Sequence, residues 1–190
     1  MTTWYTADLH FGHTNILGYA SRPWPDVEAM NAGLVARWNA VVAATDTVWV
    51  LGDVSLTPAK LGPVAALNGR KILVAGNHDS CWSGHRRHAG QIRRYIEAGF
   101  ADVHTSGVVR EHRIGNQLVT LAHFPYRGDH TESDRYVDSR PDDDGRPLLC
   151  GHVHDAWQIS ERQINVGVDV WDWIPVPAAT LLKLVDAMPQ

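Results

Sequence analysis

The stretch Lys71-Ile72-Leu73-Val74-Ala75-Gly76-Asn77-His78-Asp79 decides how the chain is read. Its first five residues form an apolar run of the kind that makes a buried strand, and the chain turns polar at a glycine directly after it. The same arrangement recurs. Thr3–Ala7 leads into Asp8-Leu9-His10, Thr47–Leu51 into Gly52-Asp53, Gln117–Ala122 into His123, and Pro147–Cys150 into Gly151-His152-Val153-His154. Gln163–Gly167 and Ala179–Val185 are further runs rich in Val, Ile or Leu, so each reads as a strand. Helical spacing connects them. Val27, Met30, Leu34, Trp38, Val41 and Val42 fall on one face. A second helix is expected from Pro58 to Leu67 with Thr57 as cap, and a third over Arg86–Ala98 with Gly99 closing it. Strands alternating with helices indicate an α/β (α+β) domain spanning 1–190. If the strands share a sheet and the first three run parallel, the polar residues gather on one edge, where open α/β sheets place ligands.

Bulk composition narrows the function. The chain has 190 residues, 44% hydrophobic and 20% charged, which is a globular balance. A net charge of -4 argues against a partner such as long duplex nucleic acid. The N-terminus shows no basic-then-apolar leader, and no apolar run approaches the ~18 residues that span a bilayer. A cytoplasmic protein without a membrane partner is therefore expected. Two cysteines, Cys81 and Cys150, make no disulfide framework, and Cys150 reads as a buried thiol. The eight tryptophans read as packing residues, whereas eleven dispersed histidines exceed ordinary usage. Arg127–Arg146 reads as a long loop, with Asp142-Asp143-Asp144 as a solvated turn.

Imidazole and carboxylate donors without a thiolate suit Mn, Fe, Zn, Ni or Co rather than a structural Cys-rich zinc site. On extended backbone, Asp-x-His and His-x-His project both side chains to one side, where they grip one ion or divide between two. Asp53 has two oxygens and is the natural bridge. A lone histidine ending a strand is more often structural, and Asp-x-His is common by chance. Five such motifs in this order, each after an apolar run, outweigh that reading. Gly52, Gly76 and Gly151 are expected to let the backbone turn at strand ends.

The series Asp-x-His, Gly-Asp, Gly-Asn-His-Asp, His and Gly-His-x-His, running from Asp8 to His154, resembles the calcineurin-like metallophosphoesterases of the small bacterial or phage type. The resemblance implies two mixed β-sheets packed as a sandwich flanked by helices. It implies two divalent metal ions, with Mn the first choice and Fe, Ni, Zn or Co as alternatives. Asp8, His10, Asp53 and His154 would hold one; Asp53, Asn77, His123 and His152 would hold the other. Attack by a dimetal-bridging hydroxide would follow, with His78 as general acid. Asp79 would either orient His78 or hold the turn. Substrate contacts are expected from Asn77, His13 and Arg127, against structural roles for His13 and a solvated one for Arg127. His85, His88, His104, His112 and His130 have no motif partner and read as surface or structural, as does the Arg86–Arg94 face.

Asp79 in place of Glu, and no arginine soon after Gly52-Asp53, disfavour a protein phosphatase. The expected substrate is a small phosphodiester, of nucleotide or cyclic-nucleotide type. A phosphomonoesterase and a single-strand nuclease are the alternatives. A non-enzymatic scaffold would be expected to lack some of these residues, and all seven ligand positions and His78 are present. The sequence carries no signal for oligomeric state.

Overall fold

The structure is a computed structural model describing residues 1–131 and 133–188. Its strands are Thr3–Thr6 (β1), Thr47–Val50 (β2), Arg70–Val74 (β3), Phe100–His104 (β4), Val108–Ile114 (β5), Gln117–Ala122 (β6), Leu148–Cys150 (β7), Ile159–Ser160 (β8), Gln163–Asn165 (β9) and Val176–Pro177 (β10). They form two mixed five-stranded sheets, ordered β10-β1-β2-β3-β4 and β5-β6-β7-β9-β8. β1 to β4 are parallel, with β10 antiparallel on the edge. In the second sheet β6, β7 and β9 are parallel, flanked by antiparallel β5 and β8. The five motif strands thus do not share one sheet: three lie in the first and two in the second.

Alternation along β2 and β3 explains why Val48–Val50 and Ile72–Val74 are apolar without a break. Val48, Val50 and Leu73 face a core shared with helices, whereas Trp49 and Val74 face the second sheet. Among the described residues four α-helices flank the sheets: Ile16–Tyr19 (α1), Val27–Val41 (α2), Ile92–Ala98 (α3) and Ala178–Asp186 (α4). In α2, Asp26 caps the first turn by accepting from the Ala29 N–H at 2.7 Å. Met30, Leu34 and Trp38 are buried at four-residue spacing, each contributing about 1.5–3 kcal/mol. Gly99 closes α3 at φ 116°, as expected of a left-handed C-cap.

Three expected elements differ. Ala179–Val185, read as a strand, lies in α4, where Leu181 and Val185 are buried one turn apart. A seven-residue apolar run fits either period. Pro58–Leu67 forms two 3-10 turns, Pro58–Lys60 and Gly62–Ala66, because Pro63 supplies no N–H and crowds the preceding turn. The Arg86–Ala98 segment is α-helical only from Ile92, after a 3-10 turn at His88–Gln91. Within the expected 127–146 loop, residue 132 lies outside the described residues. Among the described residues no helix is long and apolar enough to cross a membrane.

Candidate metal centre

Every motif lies at the carboxyl end of its strand, and backbone bonds stitch those ends together. Asp8 N–H donates to the Gly52 carbonyl at 3.0 Å, His10 N–H to Asp53 at 2.9 Å, and Gly151 N–H to His123 at 3.0 Å. The local conformation departs from expectation. Asp8 (φ 58°), His10 (52°), Asp53 (55°), His152 (72°) and His154 (48°) are left-handed, not extended. Each costs roughly 1–2 kcal/mol for a residue bearing a Cβ. The paired side chains therefore converge through tight turns rather than strand alternation. Backbone strain of this kind concentrates at functional sites.

The side chains converge in two overlapping groups. Asp8, His10 and His154 offer donor atoms within 4.8 Å of one another, as do Asp8, Asp53 and His123. Asp53 spans the groups: Oδ2 lies 3.6 Å from His10 Nε2, and Oδ1 lies 3.5 Å from His123 Nε2. Asn77 Oδ1 stands 3.0 Å from His123 Nε2. His152 sits against His123, ring centroids 5.3 Å apart, and its N–H donates to Asp8 Oδ2 at 3.0 Å. All seven expected ligand residues are buried.

The protonation chemistry fits a cation. His123 Nδ1 donates to the Leu51 carbonyl at 2.8 Å, which leaves its Nε2 lone pair facing Asp53 and Asn77. His10 Nε2 is buried without a hydrogen-bond partner among the described residues, a placement that costs energy unless a ligand meets it. Burial pushes the Asp53 carboxyl up to about 7 and that of Asp8 up to about 6. It holds His10 well below its usual value and takes His152 down to about 2. Burial thus keeps His10, His123 and His152 in the neutral, ligating form; it would lower His154 too, but the Asp169 bond and the nearby Asp8 outweigh it and raise that imidazole. These His and Asp groupings can bind metal ions.

Two glycines serve close approach rather than turning. A Cβ on Gly76 would stand 2.3 Å from Asp53 Oδ1, and one on Gly151 would stand 2.6 Å from Ala7 Cβ and 2.8 Å from Asp8 Oδ2. Gly52, at φ 89°, does fit the expected turn.

Asp79 holds the loops together. Its carboxylate accepts from the N–H groups of Asp53 (2.8 Å), Val54 (3.0 Å) and Gly76 (2.9 Å). Of the two roles read for it, this is the turn-holding one; no bond from it to the His78 ring occurs among the described residues. The His78 N–H donates to Asp53 Oδ1 at 3.0 Å, while its ring is 43% exposed and lines a cavity of about 580 Å³. Burial, then the neighbouring His123 and His13, push that imidazole down to about 4. His13 also lines the cavity, its Nδ1 lying 3.4 Å from His10 Nδ1.

Arg127 is not brought to the site. It pairs with Asp143 at 2.9 Å and Glu161 at 3.3 Å and is 60% exposed. Arg135 lines the cavity in its place, bonded at 3.0 Å to the buried carboxylate of Asp129. Burial would raise Asp129, but the Arg135 bonds and the neighbouring His152 outweigh it and hold the carboxyl below its usual range. His130, read as surface or structural, also lines the cavity, and with Asp129 and His152 it forms a third grouping of donors. Sequence reading missed Arg135, Asp129 and Asp169. Asp169 accepts from His154 Nδ1 at 3.0 Å. It follows the Gln163–Gly167 run just as the other polar residues follow theirs, so the same rule finds it. Arg135 and Asp129 lie in a loop and carry no such signal.

No family model matches the chain. The Gene 66 protein of Mycobacterium phage L5 is 38% identical over 182 residues, 89% of this chain and 87% of that protein. The Gene 66 protein of Mycobacterium phage D29 is 36% identical over 187 residues, 91% of each. Among solved structures, a protein of unknown function from Aquifex aeolicus, AQ665, superposes with a TM-score of 0.71 at 24% identity, covering 97% of this chain and 99% of that one. That likeness concerns the fold. With more than a third of its residues shared across nearly the whole of both phage proteins, the chain belongs to the family of the mycobacteriophage Gene 66 proteins.

Proposed function

We propose that the chain is a metal-dependent phosphoesterase of the calcineurin-like type, acting on a phosphodiester of nucleotide or cyclic-nucleotide kind. The observation that carries the reading is the buried donor set itself. Two buried carboxyl groups, Asp8 and Asp53, both raised by burial, and the unpartnered His10 Nε2 converge beside an open cavity. Asp8, His10 and His154 would hold one ion and Asn77, His123 and His152 the other, with Asp53 shared. Manganese is the first choice for both. Ions bound there supply Lewis-acid charge for phosphoryl oxygens and lower the pKa of water enough to give a nucleophile near neutral pH.

The chain's own residues supply the rest. The half-exposed His78 ring faces the cavity and is the candidate acid for the leaving oxygen. A bound phosphoryl group brings negative charge beside it, which favours its protonated form. Tyr19, Leu56 and Tyr136 present exposed apolar surface at the cavity, suited to an organic substituent. Arg135 is the one Arg or Lys lining the cavity among the described residues, and Asp129 already neutralises it.

A second reading, cleavage of short single-stranded nucleic acid, is favoured by a groove that shares Leu56, Asn77 and His78 with the cavity and carries Arg87 and Gln91. The test is metal-depleted protein reconstituted with Mn, Ni, Zn or Mg. Its substrates are bis-p-nitrophenyl phosphate, 2′,3′- and 3′,5′-cyclic nucleotides, short RNA and a monoester control. Diester turnover restored by metal and abolished in Asp53→Ala is expected. Turnover that survives loss of Asp53 refutes the reading.

A further inference from the structure

One flank of the donor set leans on a buried pair of charges that lies outside every motif. The Arg22 and Asp169 side chains are 0% and 1% exposed. Arg22 Nε donates to Asp169 Oδ1 at 2.8 Å, and one terminal nitrogen donates to Oδ2 at 3.1 Å. His154 Nδ1 reaches the same Oδ2 at 3.0 Å. The terminal nitrogens of Arg22 also donate to the carbonyls of Leu9 at 3.0 Å and Asp8 at 2.6 Å, within the left-handed Asp8–His10 segment. One guanidinium therefore ties the first motif to the carboxylate that grips the last one.

We propose that Arg22 and Asp169 are positioning residues for the ion that Asp8, His10 and His154 would hold. This inference rests on the metal reading above. A carboxylate only accepts, so the His154–Asp169 bond places a proton on Nδ1, and the neutral ring then keeps its Nε2 lone pair for the group formed with Asp8 and His10. Arg22 holds Asp169 in that orientation and fixes the two carbonyls that flank the Leu9 Cα. Three N–H donors meet two carboxylate oxygens here, so an amide of the same shape cannot serve: its NH2 would face a donor. A buried ion pair is also a weak device for stability alone, because desolvation offsets its attraction.

The experiment compares wild type, Asp169→Asn and the double variant Arg22→Met/Asp169→Leu, which removes both charges together and keeps the fold available if the single change is damaging. Long-range proton–nitrogen NMR on the metal-free protein reads the His154 tautomer. Calorimetric titration with manganese chloride reads the affinity of each binding event. Wild-type His154 is expected as the Nδ1–H form. Asp169→Asn is expected to shift it toward Nε2–H and to weaken one of two manganese events about 10–100-fold, sparing the other. The double variant is expected to melt below wild type, since the Asp8 and Leu9 carbonyls lose their donor, yet to stay folded and show the same selective loss. If both events keep wild-type affinity in the folded double variant, or His154 stays Nδ1–H in Asp169→Asn, the positioning role is overturned. A wild-type chain that takes up no manganese overturns the metal reading and this inference with it, which is distinguishable from intact uptake with unaffected variants.

Discussion

Replacing Gly76 by alanine tests whether the glycine serves close approach at the candidate centre. The added carbon would stand 2.3 Å from Asp53 Oδ1 and 2.7 Å from both Asp53 N and His123 Nδ1. Relaxed non-bonded contacts lie near 3.5 Å, so roughly 1 Å of movement must come from somewhere. The backbone cannot supply it cheaply. The Gly76 N–H and the Asp53 N–H both donate to Asp79 Oδ2, at 2.9 Å and 2.8 Å. His123 is held on its far side by the Leu51 carbonyl at 2.8 Å. The Asp53 carboxylate and the His123 ring must therefore shift. Overpacking of this kind costs about 1–3 kcal/mol, and for a chain of this length each kcal/mol lowers Tm by about 2–4 °C. Misplacing a reacting group by about 1 Å costs on the order of 100-fold in rate. Melting, manganese uptake and diester turnover are measured together, with Gly90→Ala as control because nothing lies within 4 Å of its added carbon. A modest melting loss with a disproportionate loss of metal and turnover is expected. Wild-type metal content and turnover in Gly76→Ala would refute the reasoning.

In His78→Ala, metal content should persist while hydrolysis of esters with poor leaving groups falls about 100- to 10,000-fold and p-nitrophenyl esters fall less. Asp79→Ala should cost about 3–5 kcal/mol in a melting experiment, because three buried N–H groups lose their acceptor. Manganese at about 100 times its Kd should stabilise the chain by about 2.7 kcal/mol over the chelator-treated protein; equal melting in both would argue against a metal centre. In metal-free protein Asp53→Asn should be more stable than wild type, since its amide can donate toward His10 Nε2, which lies 3.6 Å from Asp53 Oδ2. The folded pKa of Asp53 is raised from 3.8 to about 7, so wild type loses stability as pH rises across that window, on the order of 4 kcal/mol, and the gap between the two should widen accordingly.

What the sequence made legible follows from what local pattern can encode. β2 and β3 stand out because a parallel strand covered on both faces carries a continuous apolar run, here Val48–Val50 and Ile72–Val74. β4 and β5 escaped notice because Ala101, Asp102, Arg110, Glu111 and Arg113 are exposed, and a register shift between Val109 and His112 breaks the alternation. The donor residues were legible because each ends such a strand. Their left-handed backbone was not, since Asp and His do not announce it as glycine does. The paths of Arg127 and Arg135 were equally hidden: both are loop arginines, and which one reaches the cavity depends on where Asp129, Asp143 and Glu161 lie in three dimensions.

That hidden backbone geometry bears on how the centre works. Five donors at roughly 1–2 kcal/mol each amount to a strain comparable with the net stability of an ordinary domain, about 5–15 kcal/mol. Such a sum persists only if the surroundings over-determine those torsions. The ties are visible: Asp79 on three N–H groups, Arg22 on two carbonyls, the Asp8 carboxylate on the His152 N–H, and the backbone bonds between the first two motifs. Each of them is a hydrogen bond between protein groups that holds a donor-bearing segment in place. An ion at the site would meet imidazoles and carboxyl groups whose backbone is held by these ties. Preorganised charge of this kind acts most strongly on a transition state. The strain is therefore the counterpart of that readiness, and relaxing it by freeing a tie should weaken metal binding before it unfolds the chain.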